Sequence, residues 1–314
     1  MENISYDGIF KELLDEFPDK NVVEFINKLF ERNHTHDSEV DRLETESHTH
    51  GKKRNSDKIL RIGGVMYHTE IQSTPDSDIA LRVFEYSYRA ALQHGKTQDT
   101  DYLKLSFPRS VVFYLRTTGR TPKTITIELE LPDGNTTTFD IPAKHLKDYT
   151  LQDLTHDSSL IFAPYYPMLY EGELSKEPQK LENLKNESIE IVDKIKTKAD
   201  NGEIGRTTAG LIVKGLEDIL LNVMIKSNIS QKEVDDTMEA VQRKYHLEPL
   251  NWREEGRIAG KAEGIAEGET RGEAKMKKAA LKLLAKGLSI ADIQDVTGYD
   301  ADKIEEIRLS MQKS

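Results

Sequence analysis

The feature that most constrains this chain is a pair of short alternating runs on either side of Gly63 and Gly64. Two consecutive glycines suit a two-residue hairpin turn, because that turn needs positive φ at both positions. Apolar and polar residues alternate in both runs, as they do in half-buried strands. The sequence therefore predicts a β-hairpin, whose apolar residues are Ile59, Leu60, Ile62, Val65, Tyr67 and Ile71.

Two carboxylates lie at the open ends of this predicted hairpin. Asp57 is six positions before Gly63 and Glu70 is six positions after Gly64, so regular pairing brings them side by side. Gln72 is two positions beyond Glu70 and shares its face of the strand. Facing carboxylates beside a polar group can hold a hard divalent cation through oxygen ligands. Solvated edge residues on paired strands are the alternative interpretation.

The residues around this hairpin also carry a resemblance. The pattern S-D, twelve residues, E-I-Q-S and then D-I-A-L-R-V-F-E-Y-S-Y-R resembles the core of the Rpn family. That family comprises recombination-promoting nucleases and transposases of the PD-(D/E)XK superfamily. Y-D-G-I-F-K near the N-terminus and a glycine-spaced tail extend the resemblance over most of the chain.

The resemblance implies an α/β fold with a restriction-endonuclease-like PD-(D/E)XK core, a mixed sheet flanked by helices, followed by an all-helical C-terminal region. It implies an endonuclease that hydrolyses DNA phosphodiesters with Mg²⁺ or Mn²⁺. Asp57 and Glu70 would hold the metal, and Asp57, Glu70 and Gln72 would be the catalytic residues. Gln72 takes the position of the family's usual lysine, and a glutamine carries no positive charge.

Supporting residues come from two predicted helices. Asp7 and Lys11 are four apart on one helix face and could form an ordinary surface ion pair. In the family, this D-x-x-F-K segment packs beside the cleft, and a further acidic ligand could come from Asp7 or Glu24. The family's R-x-x-x-Y, here Arg82 and Tyr86, borders the active site, so Arg82 could contact a phosphate or orient a carboxylate.

A basic run precedes the hairpin. Lys52, Lys53 and Arg54 enter its first strand and could contact DNA phosphates. Residues 51–130 contain 13 Lys and Arg against nine Asp and Glu, although the whole chain has a net charge of −11. A locally basic segment in an acidic protein is compatible with DNA as the partner.

Two His-x-His pairs, His34/His36 and His48/His50, invite a zinc interpretation, since alternate residues of a strand share a face. The chain has no cysteine, and its histidines lack the helical spacing of a zinc site. We therefore predict that they are loop histidines without structural consequence.

Periodicity and turn residues predict the remaining elements. A helix capped by Asp76 or Ser77 should run to about His94. The other predicted elements are helices at 7–16, 20–31, 178–200, 206–226 and 230–245, a buried strand at 110–115 and a hairpin of strands 123–131 and 135–141. We expect a nuclease-like domain at 1–175, a helical region at 176–250 and a tail at 251–314.

The tail has glycine at every fourth position from Gly256 to Gly272. Five helical glycines cost roughly 5 kcal/mol against alanine, so this run is either a linker or a closely packed helix. Close packing would allow a homo-oligomer through the tail. The last residues resemble a helix-turn-helix, but Asp302, Glu305 and Glu306 disfavour sequence-specific DNA binding there.

Several function classes are disfavoured by what the chain lacks. Without cysteine there is no disulfide framework, and a reducing cytoplasm is expected. The N-terminus lacks the pattern of a signal peptide, and no apolar run is long enough to span a membrane. Two alternatives to an active nuclease stay open: a catalytically lapsed DNA-binding module, favoured by Gln72, and an interaction protein that acts through its tail.

Overall fold

The computed structural model describes residues 5–44 and 58–245, the two-residue strands His48–Thr49 and Lys52–Lys53, and seven positions between 280 and 304. The chain divides into two units, Met1–His246 and Leu247–Ser314. In the second unit, Ala280 and Ile304 are buried in a small apolar cluster. The glycine-spaced run and most of the helix-turn-helix-like segment lie outside the described residues, so the predictions about them stay predictions.

The described residues form helices and strands in an α/β order. The helices are α1 (Tyr6–Glu16), α2 (Asp19–Phe30), α3 (Ile79–His94), α4 (Leu151–Leu154), α5 (Pro178–Asp200), α6 (Arg206–Lys226) and α7 (Gln231–Lys244). The strands are β1 (Val40–Glu44), β2 (His48–Thr49), β3 (Lys52–Lys53), β4 (Lys58–Ile62), β5 (Val65–Gln72), β6 (Lys96–Gln98), β7 (Leu103–Leu105), β8 (Arg109–Tyr114), β9 (Thr124–Glu130) and β10 (Thr136–His145). Two 3₁₀ segments cover Leu146–Asp148 and Asp157–Tyr170.

The predicted helices within residues 5–245 are confirmed with nearly the same ends. The expected cap of α3 is wrong, since Asp78 is the N-cap residue. The Asp76 carboxylate instead accepts a hydrogen bond from the Asp78 backbone N–H at 3.0 Å, within the turn that precedes the helix. Strand β1 was not expected, since its neighbourhood is polar. It forms because Val40 packs into the large apolar core, Leu43 packs into a separate small cluster, and the whole strand pairs with β4.

The hairpin around Gly63 and Gly64 is confirmed. Ile62 pairs with Val65, and the two glycines have φ of 56° and 78°, which is the left-handed region that glycine enters at no steric cost. A Cβ at Gly63 would also lie only 3.3 Å from the His34 ring. Both the backbone conformation and the close ring therefore favour glycine at the turn.

Six strands form one mixed sheet in the order β1-β4-β5-β8-β10-β9. β4 and β5 pair antiparallel, β5 and β8 pair parallel, and β8 and β10 pair parallel. Parallel neighbours need a long crossover, and the connection between β5 and β8 contains α3. β5 is consequently an interior strand with partners on both sides.

The two faces of the sheet are covered by different elements. On one face, Tyr67 and Ile71 of β5 join a large apolar core with α1, α2 and the 3₁₀ segment Asp157–Tyr170. Within it, the Phe113 and Phe162 rings stack with centroids 3.8 Å apart. On the other face, α3 packs through Ile79 and Val83 onto β8 and β9, with a separate cluster at its C-terminal end.

The C-terminal helices α5, α6 and α7 continue the large core. Leu184 of α5, Leu216 of α6 and Val241 of α7 are all fully buried in it. Gly215 lets α6 approach closely, because a Cβ there would meet Ile9 at 3.1 Å and Pro164 at 3.2 Å. The apolar core thus runs without interruption from α1 to α7, across position 175.

Among the described residues, no helix combines the length and apolar character needed to cross a membrane.

Candidate active site

The candidate site lies on the face of β5 that α3 covers. Alternation along the strand sends His68, Glu70 and Gln72 to this face and Tyr67 and Ile71 to the other. All three polar residues are buried; the exposed fractions of Glu70 and Gln72 are 8% and 9%. A buried polar group is costly unless it is paired, so their partners define the site.

Arg82, in the first turn of α3, is the shared partner. Its Nη2 donates to Gln72 Oε1 at 2.6 Å and lies 3.2 Å from Glu70 Oε1. Its Nη1 donates to Asp76 Oδ2 at 3.0 Å. One guanidinium therefore joins two residues of β5 to the turn that precedes α3.

Both ends of the Gln72 amide are engaged. Oε1 accepts from Arg82, and Nε2 donates to the Thr74 carbonyl oxygen at 2.8 Å. An amide held at both ends has a defined orientation, with its carbonyl towards the guanidinium.

Polar and aromatic side chains extend the site along the helix. Tyr114 lies opposite Gln72 on β8, and burial raises the pKa of its hydroxyl, an effect that Arg82 opposes and Asp76 reinforces. The Tyr86 ring meets the His68 ring edge-on, with centroids 6.0 Å apart. The seam between α3 and the sheet is thus polar from Tyr114 to His68.

Three of the predicted site residues come together here: Glu70, Gln72 and Arg82. Tyr86 is on the same side of the sheet, next to His68. Asp7 and Lys11 form an ion pair at 2.7 Å on α1, the helix that packs against the opposite face of the sheet. Glu24, the other acid considered, lies 3.4 Å from His36.

Asp57 and Arg54 lie outside the described residues. The backbone of Lys52 and Lys53 forms β3, which pairs with β2, and their side chains lie outside the described part of the chain. The hairpin register is described as far as Ile59, which pairs with His68. The assignment of Asp57, Lys52, Lys53 and Arg54 stays a prediction.

The prediction that the loop histidines lack structural consequence is wrong for His34. Its Nε2 lies 2.7 Å from the Tyr67 hydroxyl oxygen, and its backbone N–H and carbonyl are both bonded to the Asn27 side chain. His34 therefore ties the loop after α2 to the hairpin. The described residues contain no group of three or more potential metal-binding side chains, and the side chains of His48 and His50 lie outside them.

The described part of the predicted metal site is a single carboxylate, which is paired with Arg82. Glu70 offers carboxylate oxygens from a rigid interior strand, and oxygen donors are what Mg²⁺ and Mn²⁺ prefer. Asp57 lies outside the described residues, so Glu70 is the one described residue of the predicted metal pair. The Gln72 oxygen accepts a hydrogen bond from Arg82.

Two residues of this site were not identified from the sequence. The sequence predicts Asp76 as a helix cap, and no pattern in it assigns a role to His68. The alternation that places Glu70 and Gln72 on one face also includes position 68, so His68 could have been found. Nothing in the local pattern indicates that Asp76 turns back to Arg82.

Comparison of this chain with protein-family models, with curated proteins and with solved structures finds no match.

Proposed function

We propose that this protein is a metal-dependent DNA endonuclease with a restriction-endonuclease-like PD-(D/E)XK core. The observation that carries the proposal is the register of the β4–β5 hairpin, in which Ile62 pairs with Val65 and Ile59 with His68. The same register, continued two residues, would set position 57 opposite Glu70. The resemblance of the chain to the Rpn family requires these two carboxylates to face each other.

In this proposal Asp57 and Glu70 hold Mg²⁺ or Mn²⁺. The bound ion would polarise the scissile phosphate and lower the pKa of an attacking water. Glu70 suits the role because its strand is held on both sides, by β4 and by β8. Its buried position also limits the number of conformations that the carboxylate can adopt.

In this proposal the basic residues that precede the hairpin in sequence bind the DNA. Lys52, Lys53 and Arg54 precede β4 in sequence, and they are proposed to contact backbone phosphates. Such contacts are independent of base sequence and weaken steeply with salt. We therefore expect binding that falls as ionic strength rises, with DNA recombination in the cytoplasm as the proposed setting.

A plasmid-nicking assay on the full-length protein tests the proposal. Supercoiled DNA should be nicked or linearised with Mg²⁺ or Mn²⁺ and left intact with EDTA. Asp57→Ala and Glu70→Ala should each abolish cleavage, whereas Glu128→Ala, which removes an exposed carboxylate from β9, should cleave like the wild type. Equal cleavage by Asp57→Ala and the wild type would contradict the site assignment.

The second candidate is a nuclease-derived DNA-binding module that no longer cleaves. The specific observation in its favour is that the Gln72 amide is engaged at both ends while Arg82 pairs with Glu70. Such a protein would shift DNA in a gel with the same affinity with Mg²⁺ and with EDTA and would leave the plasmid supercoiled. Self-association through the tail is compatible with either function.

A further inference from the structure

Helix α3 is apolar on two opposite sides. On its inner side, Ile79 and Val83 are buried against the sheet. Its outer side carries a second apolar stripe at spacings of three and four residues, which place side chains on one face of a helix: Leu81, Phe84, Tyr88 and Leu92. The exposed fractions of Leu81, Tyr88 and Leu92 are 68%, 42% and 38%. A surface helix ordinarily has polar residues on this side, so the stripe calls for a partner that covers it.

Aromatic rings from two other elements extend the stripe. The Phe107 ring, between β7 and β8, lies 6.0 Å from the Phe84 ring and 6.5 Å from the Tyr88 ring, measured between centroids. The Phe139 ring of β10 lies 6.5 Å from the Phe84 ring and 6.4 Å from the Phe107 ring. These elements form one continuous surface. We call it the outer apolar face, and it consists of Leu81, Phe84, Tyr88, Leu92, Phe107 and Phe139.

We propose that two copies of this chain associate through the outer apolar face, packed against each other about a two-fold axis. In such a contact the same surface serves both partners. The proposal does not depend on the nuclease function. The contact would cover the outer side of α3, whose inner side covers the candidate site, and so hold the helix against the sheet.

The area of the face matches what a stable dimer needs. Five of its side chains, all except Phe84, are between 36% and 68% exposed, and together they equal about 2.2 fully exposed side chains. At roughly 200 Å² for a side chain of this size, they present about 450 Å² of apolar surface. Protein interfaces are about 60% apolar, so such a patch corresponds to an interface of about 750 Å² per partner. The standard value is about 800 Å² per partner.

The charges on the outer side of α3 are compatible with an identical partner. Glu85 lies within the stripe and pairs with Arg89, one turn further along, at 2.5 Å. The pair adds no net charge to the face, so a second copy meets no excess of like charge there. Depletion of unpaired charge at the centre is also typical of protein interfaces.

Single-stranded nucleic acid fits this face less well than a second copy does. Bases stack on aromatic rings, but the phosphates between them need cations, and Arg89 is already paired with Glu85. Leu81 and Leu92, at the two ends of the stripe, are aliphatic and have no ring on which a base could stack. Aliphatic ends around an aromatic centre are instead matched by the same side chains of another copy.

The chain contains no cysteine, so a single introduced cysteine can form a disulfide only between two molecules. Tyr88 lies near the middle of the stripe, where a two-fold contact brings a residue close to its own copy, and a disulfide needs Cα atoms within roughly 7 Å. Under mild oxidation, full-length Tyr88→Cys should form linked dimers about 100-fold faster than Leu221→Cys, because an effective concentration of about 1 mM replaces a protein concentration of about 10 μM. Leu221 is the matched control, an apolar residue of α6 that is 36% exposed.

A second pair of positions probes the face without removing an aromatic ring. Leu81 and Leu92 lie at opposite ends of the stripe. If the two α3 helices run antiparallel, a mixture of Leu81→Cys and Leu92→Cys should give the mixed disulfide. If the helices run parallel, each variant alone should form a disulfide with its own copy.

An introduced charge tests whether the face itself makes the contact. Leu81→Arg in the Tyr88→Cys background places an unpaired charge in the contact and should slow disulfide formation to the rate of Leu221→Cys. Leu221→Arg in the same background is the control and should keep the fast rate. Leu81 and Leu221 are both exposed, so neither change should unfold the protein, and equal melting temperatures of the two variants check this.

Three outcomes would overturn the proposal. One is equal disulfide formation by Tyr88→Cys and Leu221→Cys, with none from Leu81→Cys and Leu92→Cys alone or mixed. Another is fast disulfide formation that persists with Leu81→Arg, since association would then run through another surface, such as the tail. The third is binding of oligo(dT) that Tyr88→Ala loses, without fast disulfide formation by Tyr88→Cys, which would assign the face to nucleic-acid bases.

Discussion

The two faces of strand β5 are lined by side chains of opposite chemical character. Tyr67 and Ile71 project into an apolar core closed by α1, α2 and the 3₁₀ segment Asp157–Tyr170. His68, Glu70 and Gln72 alternate with them and project into a polar seam under α3. One strand therefore packs into the core through one face and places polar side chains at the candidate site through the other. Neighbouring residues alternate between the two faces.

The polar face of β5 is stabilised by the pairing of polar groups, whereas the apolar face is stabilised by packing. Glu70 and Gln72 are almost as buried as Ile71, whose exposed fraction is 5%. Burial stabilises an apolar side chain by about 1.5–3 kcal/mol, whereas burial of an unpaired polar group costs free energy. Arg82 removes this cost for both residues at once, so the polar face is stable only while α3 stays docked.

The largest effect is expected from a change on the polar face that leaves the apolar face intact. Glu70→Gln keeps the shape of the side chain and a hydrogen-bond acceptor for Arg82 but removes the negative charge. We expect cleavage to fall by more than about 100-fold, because changes to groups that merely support metal ligands already cost 10–100-fold. Stability in urea should fall by about 1–3 kcal/mol, because a buried ion pair with Arg82 becomes a hydrogen bond to a neutral amide. A variant that cleaves normally would show that Glu70 has no catalytic role.

The next largest effect is expected from a substitution on the apolar face. Ile71→Ala should lower the free energy of unfolding by about 2–5 kcal/mol, the usual cost of truncating a fully packed side chain. The rate of cleavage per folded molecule should stay near the wild-type value, since Ile71 points away from the site. Urea denaturation and an activity measurement on the same sample check both parts. A large loss of rate at unchanged stability would contradict the separation of the two faces.

A smaller effect sharpens the comparison within the polar seam. Asp76→Asn keeps the size of the side chain but weakens its hold on Arg82 Nη1, 3.0 Å away. We expect kcat to fall by about 10-fold with KM unchanged, because Asp76 holds the guanidinium that pairs with Glu70, the proposed metal ligand, and changes to groups that support metal ligands cost about 10–100-fold. Steady-state kinetics over a range of DNA concentrations provides the measurement. A rise in KM at constant kcat would instead indicate that Asp76 faces the DNA.

The smallest effect concerns a tyrosine at the margin of the apolar core. Burial, reinforced by Asp148 and Asp153, raises the pKa of Tyr149 from 10.0 to about 12. Since the folded state holds this proton more tightly, its contribution to stability is complete below pH 10 and is lost as the pH rises towards 12. Tyr149→Phe should therefore flatten the fall in stability over this window.

Urea denaturation at about pH 9 and about pH 11 measures this slope. Tyr102→Phe is the matched control, because Tyr102 is 56% exposed and should leave the slope unchanged. The pKa of Tyr170 is also raised to about 12, so Tyr149→Phe should remove only part of the slope. An unchanged slope in Tyr149→Phe would mean that the hydroxyl is not held in its neutral form.

Several features of the candidate site follow from local sequence alone. Gly63 and Gly64 predict the turn, and the two-residue period predicts that Glu70 and Gln72 share a face; both predictions are confirmed. The position of Arg82 beside Glu70 followed from resemblance rather than from any local pattern. The hydroxyl of Tyr67 bonds to His34, 33 positions earlier, and no pattern around either residue indicates that contact.

Asp76 shows where inference from sequence stops. Its place before a helix predicts a cap, and a capping aspartate and a turn-forming aspartate have the same sequence signature. The backbone of the turn decides between them, and here it makes Asp78 the cap and turns the Asp76 carboxylate towards Arg82. That backbone depends on how α3 packs against the sheet.

The sequence by itself determined the elements of this protein: the hairpin, the helices and the face of β5 to which each side chain belongs. These follow from φ preferences and from hydrophobic period, which act over a few residues. Only the tertiary structure decided the partners of Arg82, which come from β5 and from the turn after it. The reason is that contacts between elements depend on the packing of a whole helix on a sheet, which no short pattern encodes.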